Sequence, residues 1–313
     1  MIRILLLKLG GLGDLLVVLP SIMLLRKSFP GARIDLVGRK VCGELLRERG
    51  VVDAVFSADD AAWLPIFDPG LEHRNDFSER LAGYDLIFGW FLKNPGARSK
   101  LEDVQGESAP DSLRFRASIL PDFHRVIFEP GANLSISRYF FEKTAEFVSK
   151  NGRPGPRFEE CAALPKARVR RREKFAVIHP GSGSEKKCWP LDRYLDVISF
   201  LGRTGYTGTI TTGEAEERLE PELRAAHFPE GWSWNPRSSL SILADIFDAA
   251  AIYVGNDSGV THLAAACGAE VIAIFRKEYE VTWRPFGRTR VLSAESVNDI
   301  PAERVMTAVA EIF

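Results

Sequence analysis

The chain has 313 residues, of which 45% are hydrophobic and 27% charged, and a formal net charge of −1. This length suggests about two domains of roughly 150 residues each, the composition is ordinary for a soluble globular protein, and the near-neutral charge gives no argument for bulk nucleic-acid binding. Four cysteines (Cys42, Cys161, Cys188, Cys267) lack CxxC spacing, so neither a disulfide framework nor a zinc site is suggested, and a reducing cytoplasm fits.

The apolar N-terminus is interrupted by Lys8 and Asp14 and is followed by no small-residue cleavage site, which argues against a signal peptide. No stretch of about 18 apolar residues occurs, so no transmembrane helix is expected. Residues 2–8 instead read as the buried first strand of an α/β domain. A glycine turn and a helix to about Lys27 follow, with Pro20 kinking that helix or delaying its start. Strands are then expected near 33–37, 54–56, 84–89 and 125–128, and helices near 41–49 and 137–150. Residues 59–123 are rich in Pro, Gly, Asn and charge, as surface loops are.

The stretch 164–174, LPKARVRRREK, reads as a linker whose basic run is most simply a solvated one. Beyond it, strands are expected at 175–179, 207–212, 251–255 and 270–275. Helices are expected at 191–203, 214–226, 239–249 and 258–267, and a last one at 301–313. Strands alternating with helices argue for parallel sheets in both halves.

Three junctions between strand and helix carry candidate chemistry. The first is KLGGLGD, Lys8 to Asp14. It is not the dinucleotide fingerprint, because Leu16 stands where the third glycine belongs. Asp35 lies inside its strand, so a ribose-binding acid is missing too, and a nicotinamide enzyme is disfavoured. Gly11 and Gly13 remain as a tight loop, with Asp14 beyond the first strand as either a helix cap or a reactive acid. The second is HPGSGSEKKCWPL, where Gly181, Ser182, Gly183 and Ser184 offer donors to phosphate oxygens, followed by Lys186 and Lys187. A flexible surface loop is the plainer reading, and Trp189 reads as a packing residue. The third is GNDSGVTH, in which Asp257, Ser258, Gly259, Thr261 and His262 surround a helix N-terminus suited to an anion such as a diphosphate. An Asp or Ser N-cap explains it equally well. Glu214, Glu216 and Glu217, after TTG, could bind a ribose hydroxyl or simply favour a first helical turn. His73, His124 and His227 have no partners in spacing and read as surface or core residues.

In this order the motifs ILLLKLGGLGDLLVVLPSIMLLRKSFPGARIDLVG, VIHPGSGSEKKCWPLDRY, TTGEAEE and VGNDSGVTHLAAACGAEVIAIF resemble the heptosyltransferase family, the glycosyltransferases of the lipopolysaccharide inner core. The resemblance implies an α/β protein of GT-B fold, with two doubly wound Rossmann-like domains facing across a cleft. It implies an acceptor-binding domain at 1–165, a nucleotide-sugar domain at 175–300, and a terminal helix, 301–313, packing back on the first domain.

It also implies inverting, metal-independent transfer from a nucleotide sugar, typically ADP-heptose, to a lipid-linked glycan at the inner membrane surface. No cofactor, no metal and no nucleic acid are implied, and the enzyme would be cytoplasmic and monomeric. Residue by residue, Asp14 matches the family's base, with Gly11 and Gly13 in its loop, and Lys187 the phosphate-binding lysine, with Lys186 beside it. Ser182 and Gly183 match the phosphate turn, Glu217 (less well Glu214) the ribose-contacting acid, and Asp257, Ser258, Gly259 and His262 the donor site. Where the family often shows an acid-Leu-Gln-Gly-like run after YDLI, this chain reads FGWFLKNPGARSK. Trp90, Phe91, Lys93, Arg98 and Lys100 there would suit a phosphorylated acceptor or form an ordinary loop. The alternatives are a nucleotide-sugar-binding relative and another nucleotide-dependent α/β enzyme, such as an epimerase or dehydrogenase.

Overall fold

The structure is a computed structural model, and it describes residues 1–63, 80–92, 123–128, 134–167 and 173–312. The chain forms two compact units, Met1–Ala132 with Arg138–Cys161, and Asn133–Ser137 with Ala162–Phe313.

The first unit is built on a five-stranded sheet in the order β3-β2-β1-β4-β5. Its strands are β1 (Arg3–Lys8), β2 (Arg33–Gly38), β3 (Ala54–Ser57), β4 (Leu86–Leu92) and β5 (Phe123–Phe128), and all their pairings are parallel. Ile4, Leu5, Leu6 and Leu7 are all buried in β1, the continuous apolar run of a strand covered on both faces. The helix expected to run from the glycine turn to Lys27 is two helices, α1 (Leu12–Leu16) and α2 (Leu19–Ser28). The break falls just before Pro20, which lacks an N–H and is tolerated only in the first turn of α2. Helices α3 (Lys40–Glu48), α4 (Ile136–Lys150) and α5 (Phe158–Cys161) follow. Asp35 is the third residue of β2 and fully buried. It accepts hydrogen bonds from the Tyr84 hydroxyl at 2.9 Å and Arg33 Nε at 3.0 Å, so its charge is matched inside the unit.

The second unit holds a six-stranded sheet in the order β11-β10-β9-β6-β7-β8. Its strands are β6 (Phe175–His179), β7 (Thr207–Thr212), β8 (Trp232–Pro236), β9 (Ile252–Asn256), β10 (Glu270–Arg276) and β11 (Thr289–Ala294), again paired in parallel. Among the helices are α6 (Leu191–Arg203), α7 (Glu220–Ala225), α8 (Leu240–Ala249), α9 (Gly259–Ala266) and α10 (Ala302–Ala310). The helix expected over 214–226 is a 3₁₀ segment, Glu214–Leu219, followed by α7, with Pro221 in the first turn of α7. Strands β8 and β11 were not legible in the sequence, because WSWNP ends in proline and TRVLSA carries little apolar signal.

The C-terminal helix contributes to the core of the second unit. Val305, Ala308 and Val309 of α10 join Tyr194, Val197, Ile198 and Leu201 of α6 in the core of the second unit. The apolar stripe of α10 is therefore covered within that unit.

In an open parallel sheet, ligands sit beyond the carboxyl ends of the strands, where the strand order reverses. In the first sheet the chain moves outward from β1 to β3 and returns on the other side at β4, so the reversal lies between β1 and β4. In the second it moves from β6 to β8 and returns at β9, so the reversal lies between β6 and β9. The loops leaving β1, β6 and β9 are KLGGLGD, PGSGSEKK and DSG, the three junctions singled out by sequence.

Candidate functional site

In the first unit, Gly10 has φ +109°, a backbone conformation that L side chains rarely adopt. A Cβ there would lie 2.5 Å from the Asp14 carboxylate, so the loop folds tightly over this side chain. Asp14 is the third residue of α1, and its Oδ2 accepts the Gly11 N–H at 2.8 Å. The cap and the reactive acid, open alternatives in the sequence, are thus compatible: one carboxylate oxygen holds the loop, and the residue remains half-buried rather than enclosed. Gly11 and Gly13 lie in the same half-buried turn. Lys8, at the end of β1, is buried; burial lowers its pKa, and the nearby negative charge of Asp14 opposes that shift.

In the second unit the structure resolves which residue caps α9. Ser258 is the N-cap, with its Oγ accepting the Thr261 N–H at 3.3 Å. Asp257 is thereby released from capping and makes an ion pair with Lys187, Nζ to Oδ2 at 2.6 Å. The two residues belong to different motifs 70 positions apart in the chain (257 minus 187) and meet because β6 and β9 are neighbours. Ser182 completes the junction by donating its hydroxyl to the Asp257 carbonyl at 2.7 Å. The first-turn N–H groups of Gly259 and Val260 have no carbonyl partner within the helix, which leaves an anion-favouring terminus beside the lysine. Gly183 and Lys186 are exposed, and a Cβ at Gly183 would meet open space.

Two further residues hold this arrangement: Asn256, missed by sequence, and Glu216, singled out by sequence only as one of three acids. Asn256, fully buried at the end of β9, accepts the Trp189 N–H at 3.0 Å and the Tyr194 hydroxyl at 2.9 Å. Its Nδ2 donates to the Pro180 carbonyl at 2.8 Å and to that of Gly181 at 3.3 Å. It therefore joins the phosphate-type turn to the start of α6 through one amide. Glu216 is the second. It is buried, and its carboxylate accepts the Gly213 N–H at 2.7 Å. It also packs under Gly181, where a Cβ would come within 2.1 Å of it. The signal for Asn256 was its place directly before Asp257; for Glu216 no sequence signal separated it from its acidic neighbours.

Several other expected residues have partners within the fold. Glu217 is exposed and paired with Arg237 at 2.9 Å, while Glu214 is exposed at the start of the 3₁₀ segment. Thr261 is fully buried, bonded to Tyr253 Oη at 3.0 Å and to the Asn256 carbonyl. Trp90 is fully buried and donates to Thr144 Oγ1 at 3.1 Å, and Phe91 packs against the apolar cluster around Leu7 and Trp63. Neither is an open acceptor-binding surface. Lys93, Arg98 and Lys100, like His73 and residues 168–172 of the basic linker, lie outside the described residues. Trp189 is the packing residue expected of it, buried edge-on against Tyr194 and donating Nε1 to the Ile300 carbonyl at 2.8 Å.

His262 is buried in α9, and its Nδ1 has no hydrogen-bond partner among the described residues. Burial, reinforced by the positive charge of Lys187, lowers its pKa to about 4. At neutral pH it is an uncharged hydrogen-bonding group and adds no positive charge to the site. Burial also lowers the pKa of His179, against the opposing charge of Glu216. An unfolded histidine takes up a proton near pH 6.5 that these folded sites refuse, so stability is complete above that pH and is lost as pH falls toward about 4. We expect the wild type to lose on the order of 2 kcal/mol more than His262→Gln between pH 7.5 and pH 5, read from urea unfolding. Parallel losses in both proteins would refute this account of His262.

Among the described residues, no helix is long and apolar enough to cross a membrane. The family model for glycosyltransferase family 9 (heptosyltransferase) matches residues 116–309. Lipopolysaccharide heptosyltransferase 3 of Escherichia coli K12 is 23% identical over 300 residues, covering 88% of this chain and 82% of that protein. Lipopolysaccharide heptosyltransferase 1 of Salmonella typhimurium is 24% identical over 296 residues, covering 87% of this chain and 88% of that one. Among solved structures, E. coli heptosyltransferase WaaC with ADP matches at a TM-score of 0.71 and 19% identity, over 100% of both chains. A family 9 glycosyl transferase from Veillonella parvula matches at 0.72 and 15%, over 99% of this chain and 96% of that one. These likenesses show the GT-B fold. The chain belongs to glycosyltransferase family 9, the heptosyltransferase family, and is a glycosyltransferase.

Proposed function

We propose that this enzyme transfers a heptose, or a related sugar, from ADP-heptose to a lipopolysaccharide-core or similar lipid-linked glycan, with inversion and without a metal. The observation that carries the proposal is the Lys187–Asp257 pair at 2.6 Å beside the N-terminus of α9, where β6 and β9 flank the strand reversal. A lysine and a helix terminus together offer positive charge to a diphosphate, and a metal would supply the same service. That WaaC was solved with ADP and with ADP-2-deoxy-2-fluoro heptose supports an adenine nucleotide as the carrier.

Asp14 takes the proton from the acceptor hydroxyl, whose oxygen attacks the anomeric carbon from the face opposite the diphosphate. Lys187 and the turn through Ser182 stabilise the diphosphate as the bond to the sugar breaks. Asp257 and His262, both buried, hold hydroxyls of the transferred sugar, and Glu217 exchanges Arg237 for a ribose hydroxyl. The enzyme works as a monomer in the cytoplasm, at the inner membrane surface where its acceptor is displayed.

Turnover measures this directly. ADP-heptose with a lipopolysaccharide-core acceptor should yield ADP and an extended glycan at a rate unchanged by EDTA. Thermal stabilisation by ADP and ADP-heptose should accompany it. Stabilisation by NAD alone, without turnover of any nucleotide sugar, would overturn the proposal.

A further inference from the structure

The segment that follows β10, residues 277–280, carries no motif of the sequence analysis, yet it reaches the candidate diphosphate site. Strands β10, β9 and β6 are consecutive in the second sheet, so the loops leaving their carboxyl ends are neighbours. These loops bring together Tyr279, Asp257 and Lys187. The Lys187 ammonium lies 4.4 Å from the centroid of the Tyr279 ring and 2.6 Å from Asp257 Oδ2. Tyr279 closes the 3₁₀ turn Lys277–Tyr279, and its carbonyl accepts the Trp283 N–H at 2.9 Å, so its backbone is held in place.

We propose that Tyr279 is a positioning residue for Lys187, keeping the ammonium at the diphosphate site both before and after the nucleotide binds. The proposal rests on the reading of Lys187 as a diphosphate-binding residue. A lysine side chain has four rotatable bonds and high rotamer entropy, so one carboxylate contact leaves it free to swing once that contact is exchanged. Incoming phosphate oxygens compete with Asp257 for the same ammonium. Attraction to an aromatic face is different, because it acts on the charge as a whole and not on a chosen N–H. It persists while the ammonium trades the carboxylate for a phosphate. The ring also occupies space beside the ammonium that water would otherwise fill, and its hydroxyl is not needed for either effect.

The test uses the full-length enzyme, with inorganic pyrophosphate and ADP as calorimetric probes. Tyr279→Leu should weaken both about three- to tenfold. Tyr279→Phe, which keeps the ring, should bind both within about twofold of wild type. Tyr279→Met, bulky but not aromatic, should behave like the Leu variant and guards against a misfolded one. In a Lys187→Met background, Tyr279→Leu should cause no further loss.

Equal losses in the Phe and Leu variants would assign the effect to the hydroxyl and overturn the proposal. A full loss on Tyr279→Leu in the Lys187→Met background would show the ring acting on the nucleotide itself, which also overturns it. If Lys187→Met alone binds pyrophosphate as wild type does, the reading of the site fails first, and the proposal with it.

Discussion

Asp14→Asn should lower the turnover rate by about 10²–10⁴ while ADP affinity stays at the wild-type value. The asparagine is chosen for the geometry of the loop. One carboxylate oxygen of Asp14 accepts the Gly11 N–H at 2.8 Å, and an asparagine carbonyl can accept the same bond. The tight turn at Gly10, which has no room for a displaced side chain, is therefore kept. The capacity to take a proton from a sugar hydroxyl is what disappears. Asp14→Ala would confuse the result, because it also removes a contact that holds the start of α1, worth about 1 kcal/mol. Asp14 belongs to the first unit, whereas Lys187, Asp257 and the phosphate-type turn, the residues proposed to hold the nucleotide, belong to the second. Initial rates and an ADP titration on the same preparation separate the two effects. A fully active Asp14→Asn enzyme would remove Asp14 from the mechanism.

Lys187→Met should reduce turnover by about 10²–10³ and weaken ADP binding as well. Two effects act in the same direction. The cation that meets the departing diphosphate is gone, and Asp257 is left buried and negatively charged at the place where further negative charge must arrive. The double variant Lys187→Met/Asp257→Asn separates them. It should regain part of the ADP affinity, since the stranded charge is removed, but not the rate. Turnover at the wild-type level in Lys187→Met would leave the ion pair as a purely structural contact.

The sequence exposed those features that depend on neighbouring residues. The apolar runs Ile4–Leu7 and Ile272–Phe275 are buried strands. Pro20 and Pro221 act on their own turns, and the structure breaks its helices at both. Ordered motifs across most of the chain marked the family. Edge strands β8 and β11 stayed hidden because an edge strand need not be apolar on both faces, and their residues look like loop. Trp90 shows the opposite failure. An aromatic beside basic residues in a loop-like sequence suggested a surface for an acceptor, whereas β4 carries it into the core against Thr144.

By itself, then, the sequence determined the two α/β halves, the glycine turn before Asp14 and the two junctions that could hold an anion. It could not choose between Asp257 and Ser258 as the cap of α9, since both side chains suit that position. The tertiary structure decided it: the parallel pairing of β6 with β9 delivers Lys187 to Asp257, and Ser258 caps the helix. The same strand order placed Asn256 under the turn, Glu216 against Gly181 and Tyr279 over Lys187. None of these contacts follows from local pattern. Each joins segments far apart in the chain, and only the order of strands in the sheet determines which loops become neighbours.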